Sequence, residues 1–228
     1  MRQEFFCNEG TVVLTDSVPE TLVQSESILE YSGKKDLKAR IAAFEKSNPS
    51  STLYVYSQDK ADEMTQAFFS FHRLVQAAGG IVFNEHDEIL FIHRNGKWDL
   101  PKGKISQKDW KKAGKNGESN IKKNQVAEED SVARIAAIRE VREETGLKKL
   151  YIQKELPSTY HVYFRGEQSY LKHTRWFKMT GSSDERIVPQ VEEGIIIARW
   201  IPSNTIGCVF KHTYESLKPL IRCVIEES

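Results

Sequence analysis

The sequence predicts an α/β protein, a small N-terminal α/β unit over residues 1–75 followed by a larger α/β domain over residues 76–228. Three observations carry that reading. Short β-branched and aromatic runs alternate with helical stretches up to about residue 75, the composition shifts at Gln76 where a hairpin opens, and an amphipathic helix ending at Gly146 precedes a series of strand-like segments.

In the N-terminal unit, Glu4 to Phe6 and Thr11 to Thr15 are short apolar runs, Lys35 to Lys46 is helical, and TLYVY from Thr52 is a strand rich in β-formers. Ser57 to Arg73 has helix character, with Ser57 or Asp59 as cap and Met64, Phe68, Phe69 and Leu74 spaced for one apolar face. No chemistry attaches to this unit. From Gln76, AAGGIVF and ILFIHR flank the turn NEHDE as a hairpin. The Gly/Pro loop NGKWDLPKGK follows. A lysine-rich insert at about 107–127 then shows no hydrophobic period and reads as a loop or disordered stretch. The pattern turns helical from about Asp130. Beyond Gly146, LYIQKEL, TYHVYF, YLKHTRWFKM and GIIIARWI read as strands, and Tyr214 to Ile225 as a closing helix.

Lys+Arg 33 against Asp+Glu 32 leaves a formal charge of +1, which excludes a global basic field and with it an expected nucleic acid polymer partner. Cys7, Cys208 and Cys223 lack the spacing of a zinc site or redox pair and read as reduced thiols. No apolar run suits a signal peptide or a membrane span, so a cytoplasmic, soluble protein is expected. A homodimer is compatible with this composition.

The helix SVARIAAIREVREETGL carries the chemistry. At 100° per residue, Glu140, Glu143 and Glu144 share an arc of about 100°, with Val132, Ile135, Ile138 and Val141 opposite. Gly146 supplies a left-handed cap. Carboxylates crowded this closely repel one another unless a cation lies among them, and oxygen-only donors suit Mg²⁺ or Mn²⁺. An ordinary solvated face, with Arg139 and Glu143 paired at i,i+4, presents the same side chains.

The run REVREETGL resembles the second half of the Nudix box, with Arg139, Glu140, Val141, Glu143, Glu144, Gly146 and Leu147 matching without a gap. Gly103 in WDLPKGK matches the box's opening glycine, and the hairpin before it looks like the one that precedes the box in this family. The resemblance runs from about Gln76 to Pro202. It implies an α/β/α sandwich with a mixed sheet, and metal-dependent hydrolysis of a phosphoanhydride in a nucleoside diphosphate linked to another moiety: a dinucleoside polyphosphate, ADP-ribose, a nucleotide sugar or a diphosphoinositol polyphosphate. The small phosphorylated substrate is the expected partner. Counted back from Arg139, the box's first glutamate falls on Ser131 and is missing, with Glu128, Glu129 and Asp130 as substitutes.

By resemblance, Glu140, Glu143 and Glu144 ligate the metal and Arg139 orients them. Lys102 and Gly103 approach a phosphate, and Glu193, favoured over Glu192, serves as base or further ligand. Trp98 offers a stacking surface for a base, although aromatic residues on strands are more often core. His93, His161 and His173 show no ligand spacing. Lys108, Lys111, Lys112, Lys115, Lys122 and Lys123 in the insert either contact a highly phosphorylated substrate or an acidic partner, or are only solvated. The rival from another class is a catalytically silent sensor or protein-interaction module on the same fold; a plain acidic scaffold is a third reading, separated by its lack of a metal response.

Overall fold

A computed structural model describes residues 1–7, 10–18, 20, 26–47, 51–115 and 125–226. Contacts divide the chain into two compact units, Met1–Val75 with Thr159–His173, and Gln76–Ser158 with Thr174–Ser228.

The first unit holds β1 (Arg2–Cys7), β2 (Gly10–Thr15), β3 (Glu26–Glu30), α1 (Lys34–Ser47), β4 (Thr52–Tyr56) and α2 (Ala61–Phe69). β1 and β2 pair antiparallel, while β2 and β3 both lie parallel to β4. The β3–α1–β4 passage is therefore a crossover between adjacent parallel strands. Alternation turns Phe5, Cys7, Val12, Leu14, Leu53 and Val55 to one face, where Leu37, Ile41, Met64 and Phe68 of the helices cover them. β3 was not legible as a strand because ESILE is short and carries glutamates at both ends.

The second unit begins with β5 (Arg73–Phe83) and β6 (Glu88–Arg94), followed by β7 (Lys97–Asp99), β8 (Lys102–Lys104), α3 (Gln107–Lys115) and α4 (Gln125–Thr145). Then come β9 (Tyr151–Arg165), β10 (Gln168–Thr180), a 3₁₀ turn at Val191–Glu193, β11 (Ile195–Pro202), α5 (Gly207–Phe210) and α6 (Lys218–Glu226). Its sheet runs β11-β6-β5-β10-β9, with β7 on β6 and β8 on β5. The residues around Thr159–His173, where β9 turns into β10, group with the first unit, whose core takes in Val162 and Leu171.

Strand alternation sorts the second unit's core into two layers. Ile81, Phe83, Ile89, Phe91 and Trp176 pack with Leu220, Ile221 and Val224 of α6 on one face. Val82, Leu90, Phe177 and Met179 pack with Ala133, Ala136, Ala137 and Val141 of α4 on the other. That is an α/β/α sandwich. Two expected strands, LYIQKEL and TYHVYF, form the single strand β9 across Pro157.

The insert is corrected in part. Gln107–Lys115 is helical rather than a loop, and residues 116–124 lie outside the described residues. The reason is local. Asp109 caps the helix start, its Oδ2 accepting from both the Ser106 N–H and Oγ at 2.7 Å while its own N–H donates to the Ser106 carbonyl at 3.1 Å.

Candidate active site

Helix α4 buries Val132, Ala133, Ala136, Ala137 and Val141, so its small alanine face sits close on the sheet. Ile135 and Ile138 are only half-buried. The opposite arc is not solvated as a whole: Glu140 is 6% exposed and Glu144 0%, and only Glu143 reaches solvent. Gly146 ends the helix at φ 79° and its N–H donates to Arg142 O at 2.9 Å. The chain following β10 then covers the helix end, the Val188 N–H donating to Thr145 O at 2.8 Å and the Gln190 N–H to Glu144 O at 3.3 Å. This places the turn Val191–Glu193 beside the acidic face.

Each buried carboxylate is held by the hairpin and its loop. Glu144 Oε2 accepts from the Lys102 backbone N–H at 2.7 Å and Oε1 from Arg94 Nη1 at 3.1 Å. Asp99, 2% exposed, sits between the two cations: Lys102 Nζ donates to it at 2.6 Å, and Arg94 Nε and Nη2 at 3.1 and 3.0 Å. Burial pushes Glu144 up to about 7, against the opposing pull of Lys102 and Arg94. Glu140 also titrates above its ordinary range, from burial first and then from the charges of Glu143 and Glu193, with Arg139 opposing. Gly103 lies directly against the Glu140 carboxyl group, and a Cβ at that position would overlap it.

Arg139 ties the arc together. Its Nη1 donates to Glu143 Oε2 at 2.7 Å and stands 2.7 Å from Glu140 Oε1. Its Nε and Nη2 bind Asp109 in a fork at 2.8 Å each, and Nη2 also donates to Lys104 O at 3.0 Å. Burial would raise Asp109, but the hydrogen bonds from Arg139 and Ser106 outweigh it and hold the carboxyl below its usual range.

Asp109 corrects the reading of the box. Counted forward from Gly103, five residues intervene before Asp109, the spacing of the box's first glutamate, so the acid is present and the insertion falls after it. Of the substitutes named earlier, Asp130 pairs instead with Arg175 at 2.5 Å, Glu129 is exposed, and the side chain of Glu128 lies outside the described residues. Counting backward across an insertion of unknown position hid the acid; counting forward finds it.

The structure thus gathers Lys102, Gly103, Arg139, Glu140, Glu143 and Glu144, with Glu193 near enough to act on Glu140's charge. The Lys102 ammonium donates to Asp99 at 2.6 Å. Trp98 lies apart, packed with the α6 layer, where its ring meets His93 edge-on at 5.0 Å. Alternation explains it: Trp98 precedes Asp99 on β7 and faces the other way. Sequence reasoning missed Arg94, Asp99 and Asp109, of which only Asp109 had a spacing signal.

Among the described residues no group of three or more His, Cys, Asp or Glu side chains is preassembled to hold a metal. The donor chemistry nevertheless fits a hard divalent cation. All donors are carboxylate oxygens, two of them buried and pushed toward protonation, the condition that such a cation relieves.

A family model described as NUDIX domain matches residues 73–222. Among solved structures, a C. elegans Ap4A hydrolase binary complex is similar at 18% identity, covering 67% of this chain and 96% of that one, with a TM-score of 0.44. A NUDIX hydrolase from Nitrosomonas europaea is similar at 16%, covering 68% and 88%, with a TM-score of 0.42. The NUDIX domain of Shewanella oneidensis NrtR complexed with ADP ribose is similar at 16%, covering 70% and 92%, with a TM-score of 0.44. No curated protein matches the sequence.

Proposed function

The chain belongs to the Nudix family of pyrophosphohydrolases, and from that membership we propose that it cleaves, with Mg²⁺ or Mn²⁺, a phosphoanhydride in a nucleoside diphosphate linked to a second group. The observation that carries the reading is the pair of buried carboxylates, Glu140 and Glu144, pinned between the helix and the loop Lys102–Gly103. Burying acids in this way is costly for a scaffold and useful for a cation site.

Glu140, Glu143 and Glu144 would hold the metal, which when bound neutralises the diphosphate and eases deprotonation of the attacking water. Arg94 and the Lys102 N–H fix the Glu144 oxygens, and Arg139 fixes Glu143. Asp99 absorbs the charge of Lys102 and Arg94, so neither cation is drawn fully onto Glu144. Glu193, exposed beside this group, takes the water's proton on its carboxylate.

The test is hydrolysis of ADP-ribose, a dinucleoside tetraphosphate, a nucleotide sugar and a diphosphoinositol polyphosphate with Mg²⁺ or Mn²⁺. Turnover of at least one is expected, falling about 100-fold or more in Glu143→Gln and in Glu193→Gln. Tight binding of one compound without turnover of any would reject catalysis in favour of a silent sensor. Unchanged rates in Glu193→Gln would remove that residue from the mechanism.

A further inference from the structure

Helix α3 carries Lys108, Lys111 and Lys112 at i, i+3 and i+4, which puts three like charges on one face. All three are exposed, as is Lys104 just before the helix, and none of these ammonium groups has an ion-pair partner among the described residues. With a formal charge of only +1 over the chain, this row is a local concentration that its own helix does not neutralise. Like charges along such a row repel one another.

The row is not free to drift. Asp109, within the same turn as Lys108 and Lys112, is forked onto Arg139, and Arg139 in turn binds Glu143, so one guanidinium separates α3 from the catalytic face. The carbonyl of Lys104 accepts from the same arginine at 3.0 Å. Four cations without an ion-pair partner among the described residues are therefore carried on an element that Arg139 ties to the acidic face.

We propose that Lys104, Lys108, Lys111 and Lys112 form a subsite for phosphate groups beyond the scissile diphosphate, so that the preferred substrate is a polyphosphate-linked nucleotide rather than a two-phosphate one. The proposal deepens the hydrolase reading and rests on it for the word substrate. A flexible row of ammonium groups suits a chain of phosphates, each of which offers charge without fixed planar geometry.

The test separates the row from the catalysis. Binding of inorganic tripolyphosphate and pyrophosphate is measured by calorimetry in metal-free buffer, with the wild-type chain, the triple variant Lys108→Gln, Lys111→Gln, Lys112→Gln, and Lys35→Gln in the other unit as control. Gln keeps helix propensity and Asp109 keeps the cap, so the triple variant retains its fold, checked by circular dichroism. The wild type and the control are expected to bind tripolyphosphate at least about tenfold tighter than pyrophosphate at low salt, a preference lost in the triple variant and at high ionic strength. In turnover, the kcat/KM ratio of dinucleoside tetraphosphate to ADP-ribose falls by a similar factor, through KM. Equal tripolyphosphate affinity in wild type and triple variant overturns the subsite, as does equal affinity for poly-glutamate of matched charge. Lysine-dependent tripolyphosphate binding without turnover of any compound leaves the subsite standing and rejects only the hydrolase reading.

Discussion

At the residue scale, Arg139 is the side chain on which the site turns, because one guanidinium serves Asp109, Glu143, Glu140 and a backbone carbonyl at once. Removing it leaves Asp109, 2% exposed, without its counter-ion and held only by Ser106. Arg139→Ala is therefore expected to cost about 3 kcal/mol in urea unfolding, Asp109→Ala less, and the double variant less than the sum of the two. An additive result would show that the pair is not coupled. Gly103→Ala tests the close approach to Glu140. The added Cβ displaces the carboxylate, so turnover falls on the order of 100-fold while the fold persists by circular dichroism. Activity at the wild-type level would show that Glu140 does not need that position.

At the element scale, the acidic helix was legible because its information is local. The matching residues Arg139 to Leu147 lie within about three turns, and periodicity alone decides which of them share a face. The helix α3 was not legible by that rule, since a helix held by a cap and one ion pair needs no apolar stripe. Its signal was the Ser106-to-Asp109 spacing. The end of α4 offers a further test. Gly146→Ala forces a side chain into the left-handed region and sets its Cβ 3.0 Å from Val188, so a loss of about 1 to 2 kcal/mol is expected in the denaturation midpoint. Since Val188 and Gln190 also tie the Val191–Glu193 turn to the helix, activity should fall with it. Activity without loss would separate Glu193 from this anchorage.

At the scale of the whole molecule, the buried acids set the pH response. Glu144 titrates near 7 when folded, from burial, against an ordinary 4.5, so the folded state binds the extra proton. Its contribution is favourable at low pH and is lost as pH rises through about 4.5 to 7, by about 3 kcal/mol as an upper figure for the metal-free protein. Glu140 shifts in the same direction. A divalent cation reverses this, because it binds the charged forms. The rise in Tm on adding Mg²⁺ should therefore be a few degrees at pH 8 and nearly absent at pH 5, and chelation should abolish it. A Tm indifferent to Mg²⁺ at pH 8 would argue against a cation among these carboxylates. Among the described residues no helix is long and apolar enough to cross a membrane.

The sequence alone determined the hairpin at Gln76 and the acidic helix with its glycine stop, because alternation, helical spacing and turn chemistry act over neighbouring residues. Tertiary structure decided the rest. It brought Asp109 back to Arg139 across the insertion, and buried two glutamates that helical spacing alone would have left in water. Those outcomes depend on contacts between residues some 30 to 50 positions apart, Asp109 with Arg139 and Arg94 with Glu144, and such contacts leave no period in the chain.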